Sequence, residues 1–186
     1  MISNLNFTAI DVETANRSIS SICQVGAVRV IEGRVHSCFS TLVNPEARFS
    51  SFNTRIHGIG PMEVEESPTF DDIFFELFDW LGDSVVVSHT YFDRTALDGA
   101  SRKYGLPIVP VTWLDSVAIA RRAWPEKRAN GGYSLGKLAA DLGISFRHHD
   151  ALEDARAAAA VVLYACLETG KDVGDWIAEC GRHRVA

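Results

Sequence analysis

The order in which strand and helix patterns follow one another constrains the fold of this 186-residue chain more than any other feature. Residues 7–14, 21–30 and 35–43 are rich in β-branched and aromatic side chains, and no helical periodicity separates them. Glu32-Gly33 lies between the second and third runs and is typical of a tight hairpin turn. These patterns predict that the chain begins with a three-stranded meander.

Helical periodicity dominates the rest of the chain, where two short apolar strand patterns are set between helices. A meander followed by strands that alternate with helices indicates a mixed sheet covered by helices. The predicted fold class is therefore α/β, with a mixed five-stranded sheet. The later strand patterns lie at 85–89 and 113–114, the helical patterns at 70–81, 91–104, 135–142 and 150–168 with a last turn near Trp176, and the loop-like segments at 61–69 and 125–132.

The composition predicts one ordinary globular domain over residues 1–186, because 47% of the residues are hydrophobic and 23% are charged. No basic segment precedes a long apolar run at the N-terminus, and no uncharged apolar stretch reaches membrane-spanning length. We therefore expect a cytoplasmic, soluble protein without a membrane partner. The net charge of -6 argues against a broad basic face that coats nucleic acid.

Two carboxylates, Asp11 and Glu13, lie in the otherwise apolar first strand pattern. Side chains alternate along a strand, so the two acids share a face and stand about 6 to 7 Å apart. Buried carboxylates are usually paired, neutralised or bound to metal, because unpaired charge in a half-buried strand is costly. By itself, this tripeptide is equally consistent with a structural and with a functional role.

Two further acids stand where predicted helices begin. Asp93 follows Thr90 at the spacing of a capping box, and capping is the favoured interpretation of Asp93 taken alone. Asp150 and Glu153 have the same spacing, which leaves Asp154 unexplained at the head of an apolar stripe. Such a carboxylate requires a cation nearby.

Together, Asp11-x-Glu13, Phe92-Asp93 and His149 with Asp154 five residues later resemble the three motifs of the DEDDh-type 3′-to-5′ exonucleases, the family of the proofreading epsilon subunit. The resemblance extends over residues 7–167. It includes two further segments, Ile56-His57-Gly58-Ile59 and Tyr133-Ser134-Leu135-Gly136-Lys137-Leu138.

The resemblance implies a ribonuclease H-like fold in a single exonuclease domain, with a motif-bearing core at 5–168 and a short C-terminal extension at 169–186. It also implies hydrolysis with two Mg²⁺ or Mn²⁺ ions, a general base at His149, and nucleoside 5′-monophosphates as products. The implied metal ligands, which are also the catalytic carboxylates, are Asp11, Glu13, Asp93 and Asp154.

The same resemblance assigns Val12, Thr14, Ile56 and Phe92 to binding of the terminal nucleotide. For Ile56 and Phe92, core packing is an equally good interpretation, because an apolar contact to a base and one to the core look alike in sequence. The chain departs from the common D-x-E-T-T-G pattern at Ala15-Asn16, and it has Thr90 where many relatives have Asn. Both departures concern recognition of the 3′ end.

A small basic and aromatic segment surrounds Trp124. It could follow a single strand by charge and stacking, although a solvated loop is the favoured interpretation of its tip. Its cationic residues are Arg121, Arg122, Lys127 and Arg128.

The predicted function is a free-standing, metal-dependent exonuclease that trims single-stranded 3′ ends, with DNA favoured over RNA. The alternatives are an RNA-trimming exoribonuclease, a polymerase-associated proofreading subunit and a binding module without catalysis. Gln24 is the only glutamine, so the chain has no Gln-led clamp-binding peptide, and few residues follow Leu167. Both features disfavour the proofreading subunit, and the clustered acids disfavour a mere binder of phosphate backbones.

Overall fold

The computed structural model describes residues 4–82, 84–130 and 132–182, without the side chains of residues 129 and 130. Its sheet has five strands in the order β3-β2-β1-β4-β5, so the first strand is central. The α/β prediction is confirmed. The strands are β1 (Phe7–Thr14), β2 (Ile22–Ile31), β3 (Arg34–Leu42), β4 (Val85–Ser88) and β5 (Thr112–Asp115).

The sheet is mixed, as predicted. Strands β1, β2 and β3 form an antiparallel meander, whereas β4 runs parallel to β1 and β5 runs parallel to β4. The turn between β2 and β3 has positive φ at both Glu32 (50°) and Gly33 (74°). A two-residue hairpin needs this geometry, because it matches the twist of the strands on either side.

Seven α-helices and one 3-10 helix lie among the described residues. Helix α1 was not predicted, because none of its residues is buried and no apolar periodicity marks it. The predicted loop at 125–132 contains the 3-10 helix, Pro125–Asn130. The α-helices are α1 (Ser51–His57), α2 (Phe70–Leu81), α3 (Phe92–Lys103), α4 (Ser116–Ala123), α5 (Leu135–Leu142), α6 (Ala151–Thr169) and α7 (Val173–Cys180).

The helices cover both faces of the sheet, so β1 is buried on both sides. Phe7 and Ala9 join a cluster with residues of α4, α5 and α6, and Ile10 and Val12 join a cluster with residues of α2 and α3. Helix α7 packs on β5 and α4, with Trp176 fully buried on the α6 side. No helix among the described residues combines the length and apolar character that a membrane crossing requires.

Strand β2 fixes where α6 begins. A Cβ at Gly26 would lie 2.2 Å from the backbone nitrogen of Leu152 and 2.3 Å from the carbonyl carbon of Ala151, so only glycine permits this approach. Two residues away, Gln24 Oε1 accepts a hydrogen bond of 3.1 Å from the backbone N–H of Ala151. The first turn of α6, which carries Asp154, is therefore held against the sheet.

Candidate active site

The four acids singled out in the sequence converge on one cleft of about 550 Å³. Asp11 and Glu13 come from the end of β1, Asp93 from the first turn of α3, and Asp154 from the first turn of α6. All four line this cleft, together with His149. Three chain segments that are far apart in sequence therefore meet at the C-terminal end of the central strand β1.

Asp11 and Glu13 continue the face of β1 that carries Phe7 and Ala9, and they meet the start of α6. Asp11 pairs across the sheet with Gly26, the residue that permits the close approach of this helix. One carboxylate oxygen from each of Asp11, Glu13 and Asp154 lies within 4.8 Å of the other two. A single cation could reach all three.

Asp93 is buried, with 2% of its surface exposed, and it does not cap its own helix. Its Oδ1 accepts a hydrogen bond of 3.0 Å from the backbone N–H of Val12. Strand β4 pairs with β1 only at Thr8 and Ala9, so Asp93 supplies the acceptor beyond the end of that ladder. The capping-box prediction for Thr90 and Asp93 is therefore wrong.

Thr90 instead makes the turn between β4 and α3. Its φ of 92° is rare for a residue with a side chain, and its Oγ1 accepts a hydrogen bond of 3.3 Å from the backbone N–H of Phe92. The N-cap of α3 is Tyr91, which makes no side-chain capping bond. After this turn, the Asp93 carboxylate accepts the Val12 N–H of β1, and its own backbone N–H also stabilises it.

Asp154 is also buried, with 4% of its surface exposed, and its two oxygens have different partners. Oδ1 lies 2.8 Å from Nδ1 of His148, and Oδ2 accepts a hydrogen bond of 2.9 Å from the backbone N–H of His149. Asp150, the N-cap of α6, accepts the backbone N–H of Glu153. Asp150 therefore caps α6, and Asp154 supplies a carboxylate to the cleft.

His149 lies at the rim of the acidic cleft. Its Nδ1 is 4.0 Å from Oε1 of Glu13, and its φ of 66° turns the chain just before α6. Burial, and to a lesser degree repulsion from His148, lowers the pKa of His149. The ring is therefore neutral near pH 7 and able to accept a proton.

His148 is a site residue that sequence reasoning missed. Its ring stacks on that of His149, with 4.0 Å between centroids and 12° between planes, and its Nδ1 contacts Asp154. His148, His149 and Asp154 each offer a ligand atom within 4.8 Å of the others. The only signal in the sequence was its position beside His149, and nothing in the motif spacing distinguishes it.

Burial, and then repulsion from neighbouring carboxylates, disfavours the ionisation of Asp11, Glu13 and Asp93. Burial, followed by repulsion from Asp93 and Asp154, raises the pKa of Asp11 well above its usual value. Burial, followed by repulsion from Asp154 and Asp93, raises the pKa of Glu13 to about 8. Burial raises the pKa of Asp93 to about 7 even though the Val12 N–H opposes the shift. An all-oxygen set with this excess of negative charge fits hard divalent cations such as Mg²⁺ and Mn²⁺.

A groove of about 390 Å³ adjoins the acidic cleft and contains three of the four predicted substrate residues, Thr14, Ile56 and Phe92. Ile56 and Phe92 are 40% and 44% exposed, so neither is a core residue. Val12 is buried and lines the acidic cleft instead. Phe52, which the sequence analysis did not single out, is 67% exposed and lines the same groove as Ile56.

The backbone of Thr14 is held by α1, the helix that was not predicted. The carbonyl oxygen of Thr14 accepts hydrogen bonds from Asn53 Nδ2 (2.9 Å) and from His57 Nε2 (3.2 Å). Nδ1 of His57 accepts the backbone N–H of Ile59, so the ring proton lies on Nε2. Burial lowers the pKa of His57, which favours this neutral form. The groove and the end of β1 therefore form one connected unit.

The cationic residues near Trp124 have different environments. Trp124 is buried and is not available for stacking on a base, which corrects one part of the single-strand interpretation. Arg122 donates to the carbonyl oxygen of Ala118, and Lys127 pairs with Asp141 at 3.1 Å. Arg121 and Arg128 line a separate cleft beside the acidic one.

The converging motifs have the arrangement that the DEDDh resemblance implies, and the predicted ribonuclease H-like fold and membership of an exonuclease family are confirmed by similarity to known proteins. The profile of the RNase_T exonuclease family matches residues 8–162, and the chain belongs to that family.

The sequence relatives are segments of much longer proteins. The DNA polymerase III PolC-type of Caldanaerobacter subterraneus subsp. tengcongensis is 29% identical over 172 residues, which are 90% of this chain and 12% of that protein. The same polymerase of Thermotoga petrophila is 29% identical over 179 residues, which are 92% of this chain and again 12% of the relative. The chain thus spans about an eighth of the length of these relatives.

Similar solved structures include smaller nucleases. Exonuclease X in complex with 5′ overhanging duplex DNA is 25% identical with a TM-score of 0.74, covering 91% of this chain and 96% of that one. The nuclease domain of 3′hExo, a DEDDh family member bound to rAMP, is 19% identical with a TM-score of 0.78 and the same coverage. Escherichia coli exonuclease I with a dA16 oligonucleotide has 18% identity and a TM-score of 0.75, covering 89% of this chain and 41% of that one. The last two establish the fold alone.

Proposed function

We propose that this protein is a metal-dependent 3′-to-5′ exonuclease that removes nucleoside 5′-monophosphates from single-stranded ends, with DNA preferred over RNA. The observation that carries the proposal is the meeting of four carboxylates and a neutral histidine in one cleft, next to a partly exposed apolar groove. The sequence relatives are DNA polymerases, and Exonuclease X was solved with DNA, which supports the DNA preference.

Asp11, Glu13, Asp93 and Asp154 would hold two Mg²⁺ or Mn²⁺ ions. When bound, the ions would supply Lewis-acid activation of the water and charge stabilisation at the phosphate. The raised pKa values of Asp11, Glu13 and Asp93 support this assignment, because a divalent cation favours their ionised forms. His148 and the His149 backbone would orient Asp154 through its two oxygens.

His149 would act as the general base. In its neutral form it would accept a proton from the water that attacks the last phosphodiester. The P–O3′ bond then breaks, and the leaving O3′ takes a proton from solvent, so the shortened strand ends in a 3′ hydroxyl. Glu13, 4.0 Å from Nδ1 of His149, stabilises the imidazolium that forms. Thr14, Ile56 and Phe92 would hold the terminal nucleotide in the adjoining groove, with Val12 behind the scissile bond.

The direct test uses the purified chain with 5′-labelled single-stranded DNA and RNA of one sequence, in Mg²⁺, in Mn²⁺ and in chelator. We expect a ladder that shortens from the 3′ end only with metal, and faster with DNA. Asp154→Asn should abolish it, and Glu65→Gln, an exposed acid outside the cleft, should not. Activity that survives in Asp154→Asn would reject the proposal, as would inactivity on both substrates.

A second candidate function is proofreading beside a polymerase, because both reported sequence relatives are PolC-type DNA polymerases. Affinity purification of the tagged chain from its own cells, followed by mass spectrometry, distinguishes the two. Stoichiometric recovery of a polymerase subunit would favour the proofreading role.

A further inference from the structure

Three clefts adjoin one another along one side of the molecule. The groove with Ile56 shares Glu13, Phe92 and His149 with the acidic cleft. On its other side, the acidic cleft shares Arg121 and Tyr133 with a third cleft of about 610 Å³, which we call the basic cleft. The acidic cleft therefore lies between the groove and the basic cleft.

The charge of the lining differs sharply between neighbours. The acidic cleft contains four carboxylates, whereas the only charged residues that line the described part of the basic cleft are Arg121 and Arg128. Arg122 and Lys127, the other cations of this segment, are engaged with Ala118 and Asp141 and do not line it. Two arginines thus remain directed at the cleft that continues from the active site.

The basic cleft is held in shape by Tyr133. Its hydroxyl donates towards the carbonyl oxygens of Trp124 (3.0 Å) and Pro125 (3.2 Å), and its own carbonyl oxygen lies 3.0 Å from Nε2 of His89. The guanidinium carbon of Arg121 lies 5.8 Å from the centre of the Tyr133 ring. Because Trp124 is buried, this scaffold is anchored in the core.

We propose that the basic cleft binds the phosphates of the nucleotides upstream of the scissile bond, through Arg121 and Arg128. This inference rests on the proposed function, which places the terminal nucleotide in the Ile56 groove and the scissile phosphate at the carboxylates. The rest of the strand then leaves on the opposite side, where the two arginines lie. Guanidinium groups bind phosphate oxygens without reading bases, so this contact is independent of sequence.

The contact also offsets the charge of the catalytic cleft. A polyanionic strand meets four carboxylates at the reaction centre, and cations beside them lower the cost of bringing the next phosphates close. Each phosphate neutralised on a single strand contributes about 0.7 to the salt dependence of binding. The two arginines should therefore account for a slope of about 1.4 in a plot of log affinity against log salt.

The test compares Arg121→Ala/Arg128→Ala with wild type on thymidine 5′-monophosphate p-nitrophenyl ester, which has no upstream nucleotide, and on an eight-nucleotide strand. We expect the gain in kcat/KM from the ester to the strand to shrink about tenfold at low salt, and its salt slope to fall by about 1.4. Arg128→Ala alone, which does not touch the acidic cleft, should give about half this change in slope. The matched control is Arg34→Ala/Arg122→Ala, which removes the same charge away from the basic cleft.

Equal losses on the ester and the strand would overturn the inference, because they would indicate a disturbed active site. An unchanged gain in the arginine variant, or the same loss in the control, would also overturn it. Binding of a labelled eight-nucleotide strand in chelator provides a readout without hydrolysis. If wild type cleaves neither substrate, the proposed exonuclease function fails, while this binding comparison still tests the basic cleft.

Discussion

Helices α3 and α6 both begin at the acidic cleft, but they deliver their carboxylates in different ways. At α6, Asp150 caps the helix and Asp154, one turn later, is held by His148 and the His149 backbone. At α3, the N-cap residue Tyr91 makes no side-chain capping bond, Thr90 Oγ1 accepts the N–H of Phe92, and Asp93 accepts the Val12 N–H of β1. At α6, the acid with capping-box spacing caps the helix, whereas at α3 the acid with that spacing binds the neighbouring strand.

The difference shows that a capping-box spacing does not by itself reveal what an acid binds. Thr90 and Asp93 have the correct spacing, yet the positive φ of Thr90 displaces the turn and a strand amide competes successfully for the carboxylate. Asp150 and Asp154 show the opposite outcome, since the residue with capping spacing does cap. Substitutions at the two helix starts should therefore have distinct consequences for activity and for stability.

The largest effect should come from the cleft acids. Asp154→Asn and Asp93→Asn should each lower kcat/KM by at least about 10³-fold in Mg²⁺, because a lost ligand removes about 4 kcal/mol of transition-state stabilisation. Asp150→Asn, which retains the cap, should stay within about threefold of wild type. Steady-state rates on single-stranded DNA decide the matter, and similar losses at Asp150 and Asp154 would break the proposed division of roles.

The next largest effects should come from the two stacked histidines, His148 and His149, for which we expect different roles. His149→Ala should lower kcat by about 10² to 10⁴-fold at every metal concentration if it is the general base. His148→Ala should weaken the apparent metal affinity by about 10- to 100-fold, because His148 orients Asp154, and saturating Mn²⁺ should restore most of the rate. Metal titrations of both variants separate the roles. Rescue of His149→Ala by metal would remove it from the base role.

Stability should depend on pH in an unusual direction when metal is absent. With the pKa of Glu13 at about 8 and that of Asp93 at about 7, the folded state binds more protons than the unfolded state between about pH 4 and about pH 8, because the carboxyls of the unfolded chain titrate near pH 4. The free energy of unfolding in chelator should therefore fall as the pH rises from about 4 to about 8, and it should level off once these groups are ionised in the folded state as well. Asp93→Asn should flatten the fall, and saturating Mg²⁺ should reverse it.

Thermal unfolding in chelator between about pH 7 and about pH 8 measures the upper part of this fall. Burial lowers the pKa values of His57, His89 and His149, so these three histidines titrate below this range. An unfolding temperature that rises with pH in chelator would contradict the repulsion described for the acidic cleft.

The smallest effect should come from the cap of α6. Asp150→Ala should lower the free energy of unfolding by about 1 kcal/mol, because the Glu153 N–H loses its acceptor. Chemical denaturation in chelator measures the change, with the exposed acid variant Glu65→Gln as the control. A stabilised Asp150→Ala protein would show that repulsion from the cleft outweighs capping even at α6.

Local sequence patterns predict much of this architecture. The hairpin at Glu32-Gly33 and the helix over Phe70–Leu81 follow from turn chemistry and apolar periodicity, which act over a few residues. Helix α1 escaped prediction because it buries no side chain, so it leaves no periodic signal. His148 was not predicted as a site residue, because its contact with Asp154 depends on the turn of the chain at His149.

By itself, the sequence determined the α/β class, the family and the set of acids and histidine that meet in the cleft, because motif order and residue type are local properties. Only the tertiary structure decided which groups these side chains contact. Asp93 binds an amide 81 residues away. Gly26 allows the start of α6 to pack closely on β2, and the spacing of residues in the sequence does not indicate this contact. Such contacts depend on the packing of distant segments, which local propensity does not specify.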